Sequence, residues 1–323
     1  GASALVFYLV KYRSGGTLNT GEKNFAVADT AAVGKIFIAD MQGRKVELTR
    51  NGSAWTMNGR YPARKDATDL ILNTLRTMTV RYPVPDAARK NVIREMAAKN
   101  KKLVLYDRAG RELKTIYIGA TPLDNVGNYM LLDGADAPFA VEVPGFHGSL
   151  ETRFITDTTD MRSRVVLAVP FTALSEWSVR YNDRPDSSFA LDFAKADSFR
   201  VYNPVDGTTL PRKQVDKKKL FDYVNLLKEV YCEAYENTNA VKPGILAQRP
   251  FCTVTARLRN GTQRVVDCYR KPVDRRSKGQ DEAGTPLPYD PDRFYGLVDG
   301  KDFVLLQYFH FGRLLKNVPY FKT

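Results

Sequence analysis

Residues able to do chemistry are few and scattered in this chain of 323 residues. Its two histidines, His147 and His310, each sit in an aromatic-glycine context, "GFHG" and "YFHFG". A metalloprotease helix needs two histidines four apart with a glutamate between them, and a hydrolase elbow needs Gly-x-Ser-x-Gly; neither occurs. The chain also lacks a Gly-Lys-Ser/Thr phosphate loop and a dinucleotide fingerprint, so it is not the ATPase of a transporter. Cys232, Cys252 and Cys268 have no metal-ligand spacing, although Cys252 and Cys268 could meet across neighbouring strands as one disulfide. No catalytic residue, metal or cofactor is expected.

Charge points elsewhere. The formal net charge is +13, shared evenly between residues 1–155 (+7) and the remainder (+6). A nucleic-acid binder concentrates its excess in an arm, stripe or recognisable module, and none is present, so nucleic acid is not an expected partner. An evenly basic surface suits anionic lipid or an envelope polymer. The segment "KPVDRRSKGQDEAGTPLPYDPD" (271–292) stands out as a long Pro/Gly/charged stretch without strand pattern. It is the candidate interaction loop. Arg275, Arg276 and Lys278 are its cations, and Tyr289 and Phe294 flank its return to regular structure as candidate anchors of a contact.

The elements that carry this loop repeat along the chain. "KKLVLYDRAGRELKTIYIG" and "FCTVTARLRNGTQRVVDCYR" both read as strand, glycine turn, strand, and align at Gly110 and Gly261 with an offset of 151. "GNYMLLDGADAPFAVEVPGFHG" matches "RFYGLVDGKDFVLLQYFHFG" with Tyr129 opposite Tyr295, an offset of 166. The 15-residue difference is the inserted loop. His147 and His310 thereby become near-equivalents, which suits structural corners better than two halves of one active site. Upstream, a helix over 66–80 puts Leu70, Ile71, Leu75 and Met78 on one face; a helix over 217–232 does so with Leu220, Phe221, Val224, Leu227 and Tyr231. Three strands precede each helix and four follow, with an extra helical stretch (85–100) in the first copy. The expected class is α+β, in two duplicated subdomains over 33–155 and 156–323, each a mostly antiparallel sheet packed with a helix.

The chain begins with the apolar run "ASALVFYLV", followed by Lys11, Tyr12 and Arg13. Nine apolar residues are too few to span a bilayer, but a basic-aromatic flank suits a membrane boundary. Residues 1–13 are read as the remnant of an N-terminal anchor and 14–32 as its linker.

"VGKIFIADMQGRKVELTRNGSAWTMNGRYPARKDATDLILNTLRTMTVRYPV", with its single tryptophan and following leucine-rich helix, resembles the bacterial domain-of-unknown-function 4340 family. "TDMRSRVVLAVPFTALSEWSVRYN" (159–182) is similar to that family too. The resemblance runs over roughly residues 33–320. It implies a membrane-anchored protein facing the periplasm, with genes near gliding-motility-type ABC transport components, and implies no catalytic residues. The expected function is an extracytoplasmic accessory or scaffold protein of such a system, with envelope or membrane proteins as partners. The alternative is an envelope hydrolase or carbohydrate-binding protein with a site between the repeats, which would call for paired carboxylates.

Overall fold

The computed structural model describes residues 23–194 and 198–323. The expected anchor remnant (1–13) and residues 14–22 of the linker lie outside the described residues. The chain divides into two compact units, 1–163 and 164–323, eight residues later than the boundary expected after residue 155. Residues 156–163 belong to the first unit because three bonds or contacts hold them there. The Thr156 hydroxyl donates to Asp40 at 2.7 Å, Met161 is buried in that unit's core, and the Arg64 N–H donates to the Met161 carbonyl at 2.9 Å.

In the first unit, β1 (Val33–Asp40), β2 (Lys45–Asn51), β3 (Ala54–Met57) and β4 (Tyr61–Pro62) precede a helix, Lys65–Thr77. Then come β5 (Thr79–Pro83), a second helix (Asp86–Ala98), β6 (Lys101–Asp107), β7 (Glu112–Ile118), β8 (Asn128–Leu132) and β9 (Phe139–Glu142). The sheet order is β4-β3-β2-β1-β6-β7-β8-β9-β5. In the second unit, β10 (Val165–Leu167) pairs with β15 (Val230–Tyr231) as a separate ribbon. Its main sheet is built from β11 (Leu174–Tyr181), β12 (Phe189–Asp192), β13 (Arg200–Tyr202), β14 (Thr209–Leu210) and β16 (Ala234–Tyr235), together with β17 (Cys252–Leu258), β18 (Gln263–Pro272), β19 (Tyr289–Val298) and β20 (Asp302–Gln307). The order is β14-β13-β12-β11-β17-β18-β19-β20-β16. Every ladder in both sheets is antiparallel, and the two orders coincide strand for strand.

The registers coincide as well. Ile36 pairs with Leu48 on one side and Leu105 on the other, as Trp177 pairs with Leu191 and Ala256. Met57 faces Leu48 as Val201 faces Leu191, so Trp55 takes the position of Phe199. Met130 faces Ile118 as Gly296 faces Cys268, so Tyr129 takes the position of Tyr295. Gly110 and Gly261 turn the matching hairpins at φ +82° and +84°, a backbone region that glycine enters without a Cβ clash.

Two-residue alternation sends one side of each sheet into a core shared with helix residues. Ile36, Ile38, Leu103 and Ile116 cluster with Ile71 and Leu75; Trp177, Val179, Val254 and Val266 cluster with Leu220, Tyr223 and Val224. On the opposite face lie smaller clusters, around Met96 in the first unit and around Ile245 and Tyr295 in the second. Ile245 belongs to a short helix, Lys242–Leu246. The second unit thus has its own counterpart to the helical stretch expected only in the first.

Three helix expectations are corrected. Leu70 and Phe221 are exposed, because each is one residue, about 100° of helical turn, away from the buried stripe. The helix expected to reach residue 232 ends at Asn225; Leu226–Lys228 tightens to a 3-10 turn and Tyr231 enters β15 with its ring exposed. Residues 79 and 80, read as the end of the first helix, open β5, which pairs with β9 at the far edge of the sheet. Among the described residues, no helix is long and apolar enough to cross a membrane.

Candidate functional site

The inserted loop grows from a buried ionic knot. Near the end of β18, the Lys271 ammonium lies 2.8 Å from Asp274, 3.1 Å from Asp290 and 3.0 Å from the Ser277 hydroxyl oxygen. The Ser277 hydroxyl donates to Asp290 at 2.7 Å, and Asp290 also accepts the N–H groups of Asp292 and Arg293 at 2.9 and 3.0 Å. Burial pushes the Lys271 ammonium down, but bonds to the two carboxylates outweigh it and leave its pKa raised. The Lys271 bond holds the Asp274 carboxyl down at about 2. Burial works against Asp290, yet its hydrogen bonds from Ser277 and the backbone keep it below the usual range. A lysine beside a serine has the composition of a nucleophilic dyad, but a protonated ammonium has no lone pair with which to take the serine proton. The arrangement is a fastening.

Beyond the knot the loop organises itself: Gln280 bridges to Pro286, and the Asp281 carboxylate accepts the N–H groups of Ala283 and Thr285. Arg275, Arg276 and Lys278 are exposed on it. Tyr289 is exposed at the start of β19, with the Arg270 guanidinium 5.3 Å from its ring centroid. Phe294, expected beside it as a contact anchor, is fully buried. Its ring packs against Phe251, Tyr308 and Phe311 at centroid distances of 5.6, 4.6 and 5.6 Å. Its place in β19, facing Arg270 and Leu306 on the two neighbouring strands, puts its side chain on the core face. It therefore cannot anchor an outside contact. Lys271, Ser277 and Asp290 carried no separate signal in the sequence beyond their places in and beside a charged loop.

A larger concavity lies elsewhere on the second unit. A cavity of about 890 Å³ is lined by Phe171, Leu226, Tyr231, His310 and Arg313 among others. A neighbouring one of about 430 Å³ shares Phe171, Thr172 and Asn225 with it and continues to Phe199 and Phe221. Phe171, Tyr231 and Phe221 are exposed, Phe221 at 67%, as is Phe309, whose ring meets the His310 imidazole edge-on at 4.9 Å. Phe171 is braced by Phe193 at 5.2 Å. Among the described residues the groove carries one carboxylate, Glu229, which accepts a hydrogen bond from the Tyr231 hydroxyl.

The first unit has a smaller polar cavity of about 230 Å³ that includes Asp40 and Glu151. Each carboxylate is already engaged. Asp40 accepts bonds from Thr156 and Arg44, which outweigh its burial and keep its pKa lowered; Glu151 pairs with Lys101 at 2.8 Å. Buried Asn128 ties the cavity wall by donating to the Gly119 carbonyl and accepting the Leu150 N–H. Asp40, held ionised this way, is no general acid at neutral pH.

His147 and His310 are both exposed, and of the two it is His310 that joins the groove. Cys252 and Cys268 are direct register partners, both buried as free thiols. Among the described residues, no group of three or more His, Cys, Asp and Glu side chains is arranged to hold a metal ion. Comparison with protein-family models, curated proteins and solved structures found no match to the chain.

Proposed function

We propose that this protein is a non-catalytic binding or scaffold protein, built from two copies of one α+β unit and held at a membrane by its N-terminal apolar run. The observation that carries the binding role is the aromatic groove of the second unit. Exposed Phe171, Phe221 and Tyr231 form a contiguous apolar surface with a basic rim, and such surfaces on soluble units mark interaction sites. The coincident strand orders and registers support duplication. Membrane attachment and a periplasmic setting rest on residues 2–13 and on the resemblance to the domain-of-unknown-function 4340 family, which also suggests an ABC-transport or gliding-motility-like context. Arg275, Arg276, Lys278 and Tyr289 offer a second contact surface for an acidic partner or anionic lipid.

The test is co-purification. Full-length protein extracted from its native envelope in mild detergent is expected to bring down stoichiometric protein partners and to fractionate with membranes. Recovery in the soluble fraction without detergent would remove the anchor from this reading, and recovery free of any partner would remove the scaffold role.

A further inference from the structure

The groove of the second unit can be assigned a partner chemistry, which deepens the binding reading above and rests on it. Because the two units share one register, each groove residue has a counterpart in the first unit. The helices Lys65–Thr77 and Lys217–Asn225 start at matching positions, and the Val27 N–H donates to the Leu75 carbonyl as the Val169 N–H donates to that of Leu227. On that alignment Phe221 stands where the first unit has Asp69. Counting from Val27 and Val169, Phe171 falls opposite Asp29, and counting back from the paired strand residues Ile36 and Trp177 it falls opposite Thr30; neither is apolar. Asp69 pairs with Lys65 in solvent, and Asp29 accepts the Ala31 N–H in a local turn. The same scaffold thus folds with polar residues at both positions, so the two exposed phenylalanines are not required by its core. They are an addition of the second unit, and each keeps a large ring in water at a cost in hydration.

The charged side chains of the groove's described lining are mostly basic. Among the described residues, Lys217, Lys228, Arg259 and Arg313 line the two cavities against one carboxylate, Glu229. Among the described residues Lys217, Lys228 and Arg313 form no ion pair, whereas elsewhere on this unit Lys218, Lys219, Arg270 and Arg293 each face a carboxylate. A row of rings flanked by unspent cations is complementary to an amphipathic polypeptide whose apolar side chains recur at helical spacing between acidic ones. The concave shape favours an inserted chain over a flat bilayer, against which recessed side chains make little contact.

We infer that the groove between Phe171, Phe221 and Tyr231 receives an acidic amphipathic segment of a partner protein. The probe is a fluorescein-labelled amphipathic peptide of about five helical turns, with leucine and phenylalanine on one face and glutamate on the other. The comparison probes are the same peptide with lysine for glutamate, and vesicles of phosphatidylglycerol and phosphatidylcholine. Anisotropy titration of the whole chain is expected to show the acidic peptide binding at least about tenfold more tightly than the lysine peptide. Phe221→Asp, which restores the residue type of the first unit at an exposed position, is expected to weaken acidic-peptide binding by about tenfold or more without moving the melting temperature. Lys228→Glu with Arg313→Glu is expected to invert the preference between the peptides. Equal binding of both peptides, or unchanged binding by Phe221→Asp, would overturn the assignment. So would vesicle sedimentation that Phe221→Asp abolishes while peptide binding is absent, which would make the groove a lipid contact. If native partners still co-purify with Phe221→Asp protein, the groove assignment fails while the scaffold role stands; if the peptide binds but wild-type protein captures no native partner, the reverse holds.

Discussion

Lys271 and Asp290 form an ion pair at 3.1 Å with side chains only 6% and 0% exposed, at the root of a loop that is otherwise in solvent. Removing one member of a buried pair leaves the other charge uncompensated, a loss of about 3–5 kcal/mol. Lys271→Met is therefore expected to destabilise the protein by that order in urea denaturation. Asp290→Asn added to Lys271→Met is expected to cost less than Asp290→Asn alone, because the charge it removes has already lost its partner. Additive losses would show that the two side chains do not act together.

The knot also sets the acid limit. Asp274 and Asp290 have folded pKa values below their unfolded ones, Asp274 at about 2. Their contribution is present in full above the unfolded value of about 3.9 and is lost as pH falls through the folded values. The melting temperature is expected to drop between about pH 4 and about pH 2, and Asp274→Asn to flatten that slope. Lys271, raised above its ordinary value, contributes fully below it and loses that contribution as pH rises through the folded value. A second decline should therefore appear on the alkaline side and be absent in Lys271→Met. A melting temperature level across the acid window would remove the knot from the account of stability.

Two loop deletions should behave differently. Replacing 278–287 with a short Gly/Ser linker leaves Lys271, Asp274, Ser277 and Asp290 in place, so the melting temperature should hardly change. Replacing 274–286 removes Asp274 and Ser277, two of the Lys271 contacts, and should lower it by several degrees, about 1–3 kcal/mol for the buried polar groups left unpaired. Equal melting temperatures for the two variants would count against the fastening role. Loss of salt-dependent binding to anionic vesicles in the 274–286 variant alone would assign the contact to Arg275 and Arg276, and loss in both would assign it to Lys278.

In the core of the second unit the Trp177 indole N–H donates to the Tyr223 hydroxyl at 2.7 Å, which donates onward to the Leu314 carbonyl at 2.8 Å. Tyr223→Phe strands a buried donor and a buried acceptor at once and is expected to cost about 1–3 kcal/mol per unpaired group. Loss of the bond to Trp177 should also shift tryptophan emission. An unchanged urea midpoint and an unchanged spectrum would together show the relay to be unimportant.

The repeat was legible in the sequence because its signals are local. Hairpins declare themselves through two-residue alternation closed by a glycine, as at Gly110 and Gly261, and an offset between such marks survives any uncertainty about packing. That is why Tyr129 and Tyr295 could be set opposite each other before any strand order was known. Which face of an element is buried, and what a charged residue meets, depends on chain segments far away. Phe294 and Tyr289 are five residues apart on one strand, yet the first is core and the second is surface, because β20 pairs with β19 only from Arg293 onward and Tyr289 meets β18 alone. Leu220 and Phe221 are neighbours on one helix, and the sheet beneath accepts only the first. Local pattern cannot foresee β5 and β16 crossing to the far edges of their sheets, since that choice is made by pairing with β9 and β20. The Lys271 knot is of the same kind. Residues 271, 274, 277 and 290 become one site only when a 16-residue excursion, 273–288, returns to pair Tyr289 with Pro272. The sequence alone determined that this chain repeats an antiparallel unit and where the second copy is longer. Tertiary structure decided which of its charges are buried and which of its aromatic rings face water, because burial is a property of the neighbours an element acquires.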